Sequence, residues 1–349
     1  MLNINTVKVS LPLKKKFVIA QGEADVKTNV LAVMNNRYSG EAAGSVAYGP
    51  PIDLIESELA RGIEFLESAG LSDKSESVNI SIMDALNESD IHPVAKSALI
   101  GMLVNYFSGE LERYPWEILS LGGPVGLKSS TTISIADPKT VVKEIESSLY
   151  PIIKVKLGSE DDFETVAALG GITGKEIRID ANGAWDCEKA EELIHMLAGS
   201  DINVIEQPTT EEFVGEWPHL KGKNNKVRLF MDEGLATAED YGKYSEFVDG
   251  VNIKMEKSGG IIEAIKIAQL ARKEKREVML GCMVQSSVGI AQSIYMSSLA
   301  DLHDLDGPML INEDIATGIS YQRETIEVDR EIIGGPKLIR DVVEKYIQE

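Results

Sequence analysis

The chain has 349 residues, 43% of them hydrophobic and 26% charged, with a formal net charge of −21 at pH 7. That size and apolar content allow a large buried core, in one large domain or two to three ordinary ones. The acidic balance argues against nucleic acid and against anionic membranes as partners, since both need cationic surface.

The opening "MLNINTVKVSLPLKKKFVIA" alternates and has no long apolar run before its basic cluster, so it reads as a strand and not as a secretion signal. Strand-like "NVLAVMNNR" and "GEAAGSVAYG" follow, then the helical patterns "DLIESELARGIEFLESAG" and "HPVAKSALIGMLVNYFSG". Strands followed by helices predict an α+β unit over residues 1–120. "SLGGP", from Ser120 to Pro124, punctuates its end. From Thr131 the pattern becomes regular. Short β-like runs recur as "TTISI", "IIKVKLG", "EIRIDAN", "NVIEQP", "RLFMDEG", "GVNIKM", "EVMLGCM" and a last run near "DLDGPML", with helical segments between most of them. This alternation implies parallel pairing. Eight units predict an α/β fold, a (β/α)7-8 TIM-type barrel over residues 121–318, with an open doubly wound sheet as the alternative. The first and last units carry the weakest pattern. Residues 319–349 are mixed and are expected to pack back on the first domain. No stretch approaches the roughly 18 apolar residues of a membrane helix. Cys187 and Cys282 lie far apart, which fits reduced packing thiols and a cytoplasmic location.

Polar residues of the barrel region gather where its strands end. Asp180 lies in "RIDAN", Glu206 in "NVIEQP", Asp232 and Glu233 in "LFMDEG", Lys254 in "VNIK", and Asp304 and Asp306 in the last unit. The C-terminal ends of strands are where a barrel builds its active site. Taken singly, each carboxylate reads as a helix N-cap or turn residue. Together, Asp180, Glu206 and Asp232 end three consecutive strands at intervals of 26 residues, and consecutive strands are neighbours. At about 4 Å and an effective dielectric of 20, each pair repels by roughly 4 kcal/mol. A hard divalent cation offsets that, and Mg²⁺ suits a site that leaves positions open for substrate oxygens.

"IIKVKLG" places Lys154 and Lys156 on one face of an otherwise apolar strand. On an edge strand such a pair is commonly solvated. Here they precede Asp180 by one strand, and Lys254 follows Asp232 by one, so lysines flank the carboxylates on both sides. A lysine near a metal and a second ammonium has its charged form disfavoured, which makes a neutral amine available as a base. Two bases facing each other across a metal suit removal of a proton from one face of a carbon and return on the other. The metal would stabilise the enolate oxygen formed between the steps.

The series Lys-x-Lys, "DAN", "EQP", "DE" and "NIKMEKSGG", in that order, resembles the enolase superfamily in its muconate-lactonizing-enzyme-like branch. The resemblance covers most of the chain. The N-terminal region and the C-terminal tail are similar to that family's α+β capping domain, and "YPWEILSLGGP" to its lead-in to the barrel. It implies Asp180, Glu206 and Asp232 as ligands of one Mg²⁺ per subunit, with Mn²⁺ as a substitute. It implies Lys156 and Lys254 as the two acid/bases and Lys154 as a holder of substrate charge near the metal. Asn182 and Glu233 would supply orienting hydrogen bonds. "DLDGPML" resembles the Asp-x-Asp element of dipeptide epimerases, where it holds the free α-ammonium of the substrate. Asp304 and Asp306 at i, i+2 offer two carboxylates to one cation, and a turn is the competing reading.

The implied reaction is Mg²⁺-dependent epimerisation of a dipeptide at the α-carbon of its C-terminal residue, by 1,1-proton transfer. The alternatives are an N-acylamino acid racemase, an o-succinylbenzoate synthase or a cycloisomerase, and a non-catalytic metal- or solute-binding protein. Barrels of this type often form homo-oligomers, and no segment marks an interface. Epimerases acting on Ala-Glu resemble one another in a basic residue of an early loop. Here that loop carries Gln21, Glu23 and Asp25, which points to a neutral or cationic second residue. Gln285 stands where the family usually has a glutamate. Thr131, at the rim of the first barrel strand, and Ser286, after the seventh, are further candidate substrate contacts. β-propensity and helix N-capping are their plainer readings.

Overall fold

The computed structural model describes residues 3–46, 49–70, 81–222 and 226–348. The N-terminal part is a three-stranded antiparallel sheet of β1 (Ile4–Ile19), β2 (Gly22–Met34) and β3 (Tyr38–Ala42), in that order. The alternating opening forms β1, and the stretch treated as an early loop is instead the end of a long hairpin, with Ile19 opposite Gly22. The register shifts between Pro12 and Phe17. Pro12 has no N–H to donate and three consecutive ammoniums follow it, so the ladder breaks there and resumes at Phe17. Helices Ile52–Ser68 and Pro93–Glu110 cover the sheet, with Leu99, Met102 and Leu103 fully buried. The second helix comes so close to β3 that a Cβ on Gly40 would lie 1.9 Å from the Ala98 carbonyl oxygen.

Eight parallel strands follow: β4 (Thr131–Ile133), β5 (Ile152–Lys156), β6 (Glu176–Asp180), β7 (Val204–Glu206), β8 (Arg228–Met231), β9 (Gly250–Ile253), β10 (Glu277–Gly281) and β11 (Leu302–Asp304). Their order in the sheet is their order in the chain. A doubly wound sheet would reverse direction at a switch point, and this one does not. The two ends meet where the Ser130 N–H donates to the His303 carbonyl at 3.3 Å and the Leu305 N–H to Ser129 Oγ at 2.8 Å. The result is a nearly closed (β/α)₈ barrel. Val204, Phe230 and Met279, with Leu302 against them, form an apolar floor of the layered kind such barrels use. Gly250 makes room for it, since a Cβ there would lie 2.4 Å from the Phe230 ring.

The sheet joins the barrel through a buried charge. Glu41 on β3 is 1% exposed. Its carboxylate accepts the N–H of Gly289 at 3.0 Å, the N–H and hydroxyl of Ser286, and the Asn29 amide at 2.7 Å. It therefore sits on the N-terminus of helix Ser287–Tyr295, where a negative charge meets both free N–H groups and the helix dipole. After residue 318 the chain packs on both parts. The Ile326 N–H donates to the Leu127 carbonyl, the Ser129 N–H to the Glu324 carbonyl, and the Gln348 N–H to the Lys8 carbonyl on β1. Among the described residues no helix is long and apolar enough to cross a membrane.

Replacing Glu41 by Ala strands the buried N–H groups of Ser286 and Gly289. Glu41→Ala is expected to cost about 3 kcal/mol, read as a lower denaturation midpoint. An unchanged midpoint contradicts this account of the junction.

Candidate active site

The barrel register sets the site. Lys156 pairs with Asp180 across β5 and β6, and Asp180 with Glu206 across β6 and β7, so the three side chains leave the sheet at one level. Asp232 follows β8 and Lys254 follows β9. Asp180, Glu206 and Asp232 are at most 1% exposed, and each offers an oxygen within 4.8 Å of the others. Each pair of such anions repels by at least about 3 kcal/mol at an effective dielectric of 20.

Ammonium groups offset part of that. Lys154 Nζ lies 2.8 Å from Asp180, 2.8 Å from Glu206 and 2.7 Å from Asp304. Lys156 Nζ lies 2.6 Å from Asp180, and Lys254 Nζ 2.5 Å from Asp232. Lys257 also donates to the Asp232 carboxylate and to its carbonyl. Six carboxylates, with Glu233, Asp304 and Asp306 completing the set, face four ammoniums. Acidic groups outnumber basic ones, and a divalent cation would offset the excess. Three convergent, buried carboxylates are hard oxygen donors of the kind such a cation takes, so the residues fit it.

Burial alone would weaken the Lys154 ammonium, but the Asp180, Asp304 and Glu206 carboxylates outweigh it and hold its pKa well above the ordinary value. Lys154 therefore keeps its charge, because its nearest neighbours are anions. Burial opposes the charge of Asp180 and Asp232 as well. For Asp180 the lysines Lys154 and Lys156 prevail, for Asp232 Lys254 and Lys257, and both pKa values fall. Glu206 is shifted upward by burial and by the Asp180 charge. In the last unit, Asp304 is held low against burial by Lys154 and by the Ser130 hydroxyl at 2.5 Å. Burial and the Asp304 charge push Asp306 up to about 7.

Hydrogen bonds aim these groups. Asn182 accepts from Lys156 at 3.1 Å and donates to Glu233 at 2.9 Å. Three orienting residues were not anticipated. Gln207 Oε1 accepts the N–H groups of Asp232 at 2.8 Å and Glu233 at 3.1 Å. Asn252 donates to Glu206 at 2.8 Å. Lys257 is the third, and its signal was its spacing of three from Lys254 in "KMEK", which brings both round to one side of a helical turn. Asn252 was readable as the residue two before Lys254 on the same strand face.

The cleft above the charges is open to solvent and is lined by Lys154, Lys156, Asn182, Lys254, Asp304 and Asp306 together with Phe17, Ile19, Val46, Met283, Val284 and Leu310. Several expected contacts lie elsewhere. Thr132, not Thr131, lines it, because Thr132 is in register with Lys154 and Thr131 with Ile153. Thr132 also gives its N–H to Asp306 at 2.6 Å. Ser286 is fully buried, its hydroxyl held by Glu41 and accepting the Val288 N–H, so it is an N-cap. Glu23 and Asp25 are exposed and pair with Lys16 outside the cleft. Gln21 reaches the barrel mouth, where it donates to the Asn182 carbonyl at 2.6 Å. Gln285 is buried beside Glu256, away from the cleft.

Residues 139–318 match the family model described as enolase C-terminal domain-like. A hydrophobic dipeptide epimerase of Roseobacter litoralis is 34% identical over 218 residues, which are 59% of this chain and 63%, less than two thirds, of that protein. An L-Ala-D/L-Glu epimerase of Bacteroides thetaiotaomicron is 30% identical over 81% of this chain and 74% of its own. A solved dipeptide epimerase from Cytophaga hutchinsonii, complexed with Mg and D-Ala-L-Val, superposes with a TM-score of 0.83 at 22% identity, over 99% of this chain and 97% of that one. A muconate lactonizing enzyme from Pseudomonas fluorescens does so with 0.87 at 23%, over 99% and 98%. These two likenesses concern the fold. The family match over more than half the chain carries the conclusion that this protein belongs to the enolase C-terminal domain-like family, within the enolase superfamily.

Proposed function

We propose that the protein is a dipeptide epimerase that inverts the α-carbon of the C-terminal residue by 1,1-proton transfer. The observation that carries the reading is the placement of Lys156 and Lys254. They end β5 and follow β9, four strands apart in an eight-stranded barrel, so they stand on opposite walls of one cleft. Binding alone needs no such pair. Curated relatives that it matches include epimerases and a racemase, and the chain is an isomerase of that kind.

Asp180, Glu206 and Asp232 would hold Mg²⁺, with Mn²⁺ as a substitute. The cation would supply electrostatic stabilisation for the negative charge that builds on the substrate carboxylate when the α-proton leaves. The neutral amine of one lysine takes that proton at Nζ, and the ammonium of the other gives one from its own Nζ to the opposite face. Which lysine acts first depends on the epimer bound. Lys154 keeps its charge and orients the substrate carboxylate. Asp304 and Asp306 receive the α-ammonium of the first residue. A cycloisomerase or dehydratase substrate lacks that cation, and the buried acidic pair would repel it.

The side chain of the second residue meets an apolar wall. Phe17 and Ile19 come from β1, and Val46, Met283, Val284 and Leu310 complete it. Among the described residues, the charged ones lining the cleft are those already assigned to chemistry or to the α-ammonium. A glutamyl carboxylate would find no cation of its own there, so an apolar second residue is preferred.

Three outcomes test this reading. With Mg²⁺ in D₂O, proton NMR of a dipeptide set should show loss of the α-proton of the second residue. Lys156→Ala and Lys254→Ala should each abolish inversion, yet each should keep exchange with one epimer. No exchange with any dipeptide defeats the proposal. Second, kcat/KM for Ala-Leu or Ala-Phe should exceed that for Ala-Glu by about tenfold or more, and a preference for Ala-Glu refutes the apolar assignment. Third, a Cβ on Gly281 would lie 2.4 Å from the Asn252 side chain, which holds Glu206. Gly281→Ala should therefore weaken Mg²⁺ binding about tenfold by calorimetry, and unaltered affinity removes Asn252 from the site.

A further inference from the structure

We propose that Gln21, at the turn of the capping hairpin, is a positioning residue for Lys156 and acts on it through Asn182. This rests on the two-base reading above.

The hairpin tip touches the barrel at the end of the wall that carries Lys156. Gly158 lies two residues beyond Lys156, and a Cβ there would lie 2.7 Å from the Ala20 methyl, so the missing side chain lets the tip settle on the end of β5. The neighbouring Val18 carbonyl accepts the Ile135 N–H at 3.2 Å, just after β4. The next contact is Gln21 Nε2, which donates to the Asn182 carbonyl at 2.6 Å.

Asn182 is held in an unusual state. Its φ is +45°, in the left-handed region that non-glycine residues adopt only where other contacts hold them. Its N–H donates to Asp180 at 2.9 Å, and its side chain spans Lys156 and Glu233. The orientation of its peptide therefore fixes where its Oδ1 meets the Lys156 ammonium. Gln21 is the contact from the capping sheet that pins the carbonyl of that peptide. Lys254 is anchored on the other wall, to Asp232 at 2.5 Å. The contact thus serves one base of the two.

The asymmetry gives a readout that general loosening of the hairpin does not. Epimerisation rates in the two directions are tied by the equilibrium constant, so both fall together whatever is damaged. Exchange of the α-proton with solvent is not tied in this way, because each epimer presents its proton to one lysine.

The experiment follows initial rates of α-proton exchange in D₂O for both epimers of one turned-over dipeptide. The epimer facing Lys156 is identified as the one Lys254→Ala still exchanges. In Gln21→Ala and in Gln21→Glu, whose ionised carboxylate has no hydrogen to donate, exchange of that epimer should fall about fivefold to tenfold relative to the other, the worth of one hydrogen bond. In an Asn182→Ala background, Gln21→Ala should add no further asymmetry. Mg²⁺ affinity by calorimetry should stay unchanged. Equal slowing of both epimers, a wild-type ratio in either variant, or weaker Mg²⁺ binding overturns the proposal. Wild-type protein that exchanges neither epimer would instead overturn the two-base reading itself.

Discussion

The structure is organised around mutual repulsion of three buried carboxylates. Asp180, Glu206 and Asp232 converge because parallel strands in chain order bring their C-terminal ends to one rim. Anions at that spacing do not stay together without compensation. Four lysines supply most of it, and each meets at least one anion borne by a barrel unit neighbouring its own. The remaining negative charge is what makes the rim a place for a divalent cation. Neighbouring residues then serve this balance. Gln207 turns two N–H groups inward, Asn252 fixes Glu206, and Gly281 leaves the space Asn252 occupies.

Much of this was legible in the sequence, for a local reason. Strand period and the place of a polar residue after an apolar run are properties of short windows, so the eight units and the strand-end carboxylates could be read directly. What was not legible depended on pairing between distant segments. Thr131 and Thr132 are equivalent until β4 is set in register with β5, and that register turns Thr132 to the cleft. Ser286 could touch substrate or cap a helix. Its fate is decided by Glu41, 245 residues earlier. The early stretch with Gln21, Glu23 and Asp25 gave no sign that it closes a continuous hairpin, because Gly22 and the polar residues around it read locally as a loop.

The same logic explains why the capping sheet is built as it is. A barrel rim alone is an open, polar mouth, and a base in water is a weak one for a carbon acid. The hairpin brings Phe17 and Ile19 over the charges and supplies apolar surface that the strand ends lack. Glu41 anchors the sheet from beneath by a buried charge on a barrel helix. The sheet is held at both its base and its tip, so the cleft has a fixed wall opposite the chemistry.

That arrangement divides the work between two parts of the chain and then reconnects them. The barrel carries the groups that any proton transfer beside a carboxylate needs, and these are set by strand register. The hairpin adds Phe17 and Ile19 to an apolar wall that Val46, Met283, Val284 and Leu310 complete, and on the proposed reading that wall meets the substrate side chain. If recognition and chemistry were independent, the hairpin would end at the cleft wall. Instead its turn continues to Asn182, which touches Lys156. On the proposed two-base reading, a substrate that packs on the hairpin would thereby also help align one of the two bases. Binding energy from a side chain remote from the reacting carbon is in this way available to the proton transfer itself.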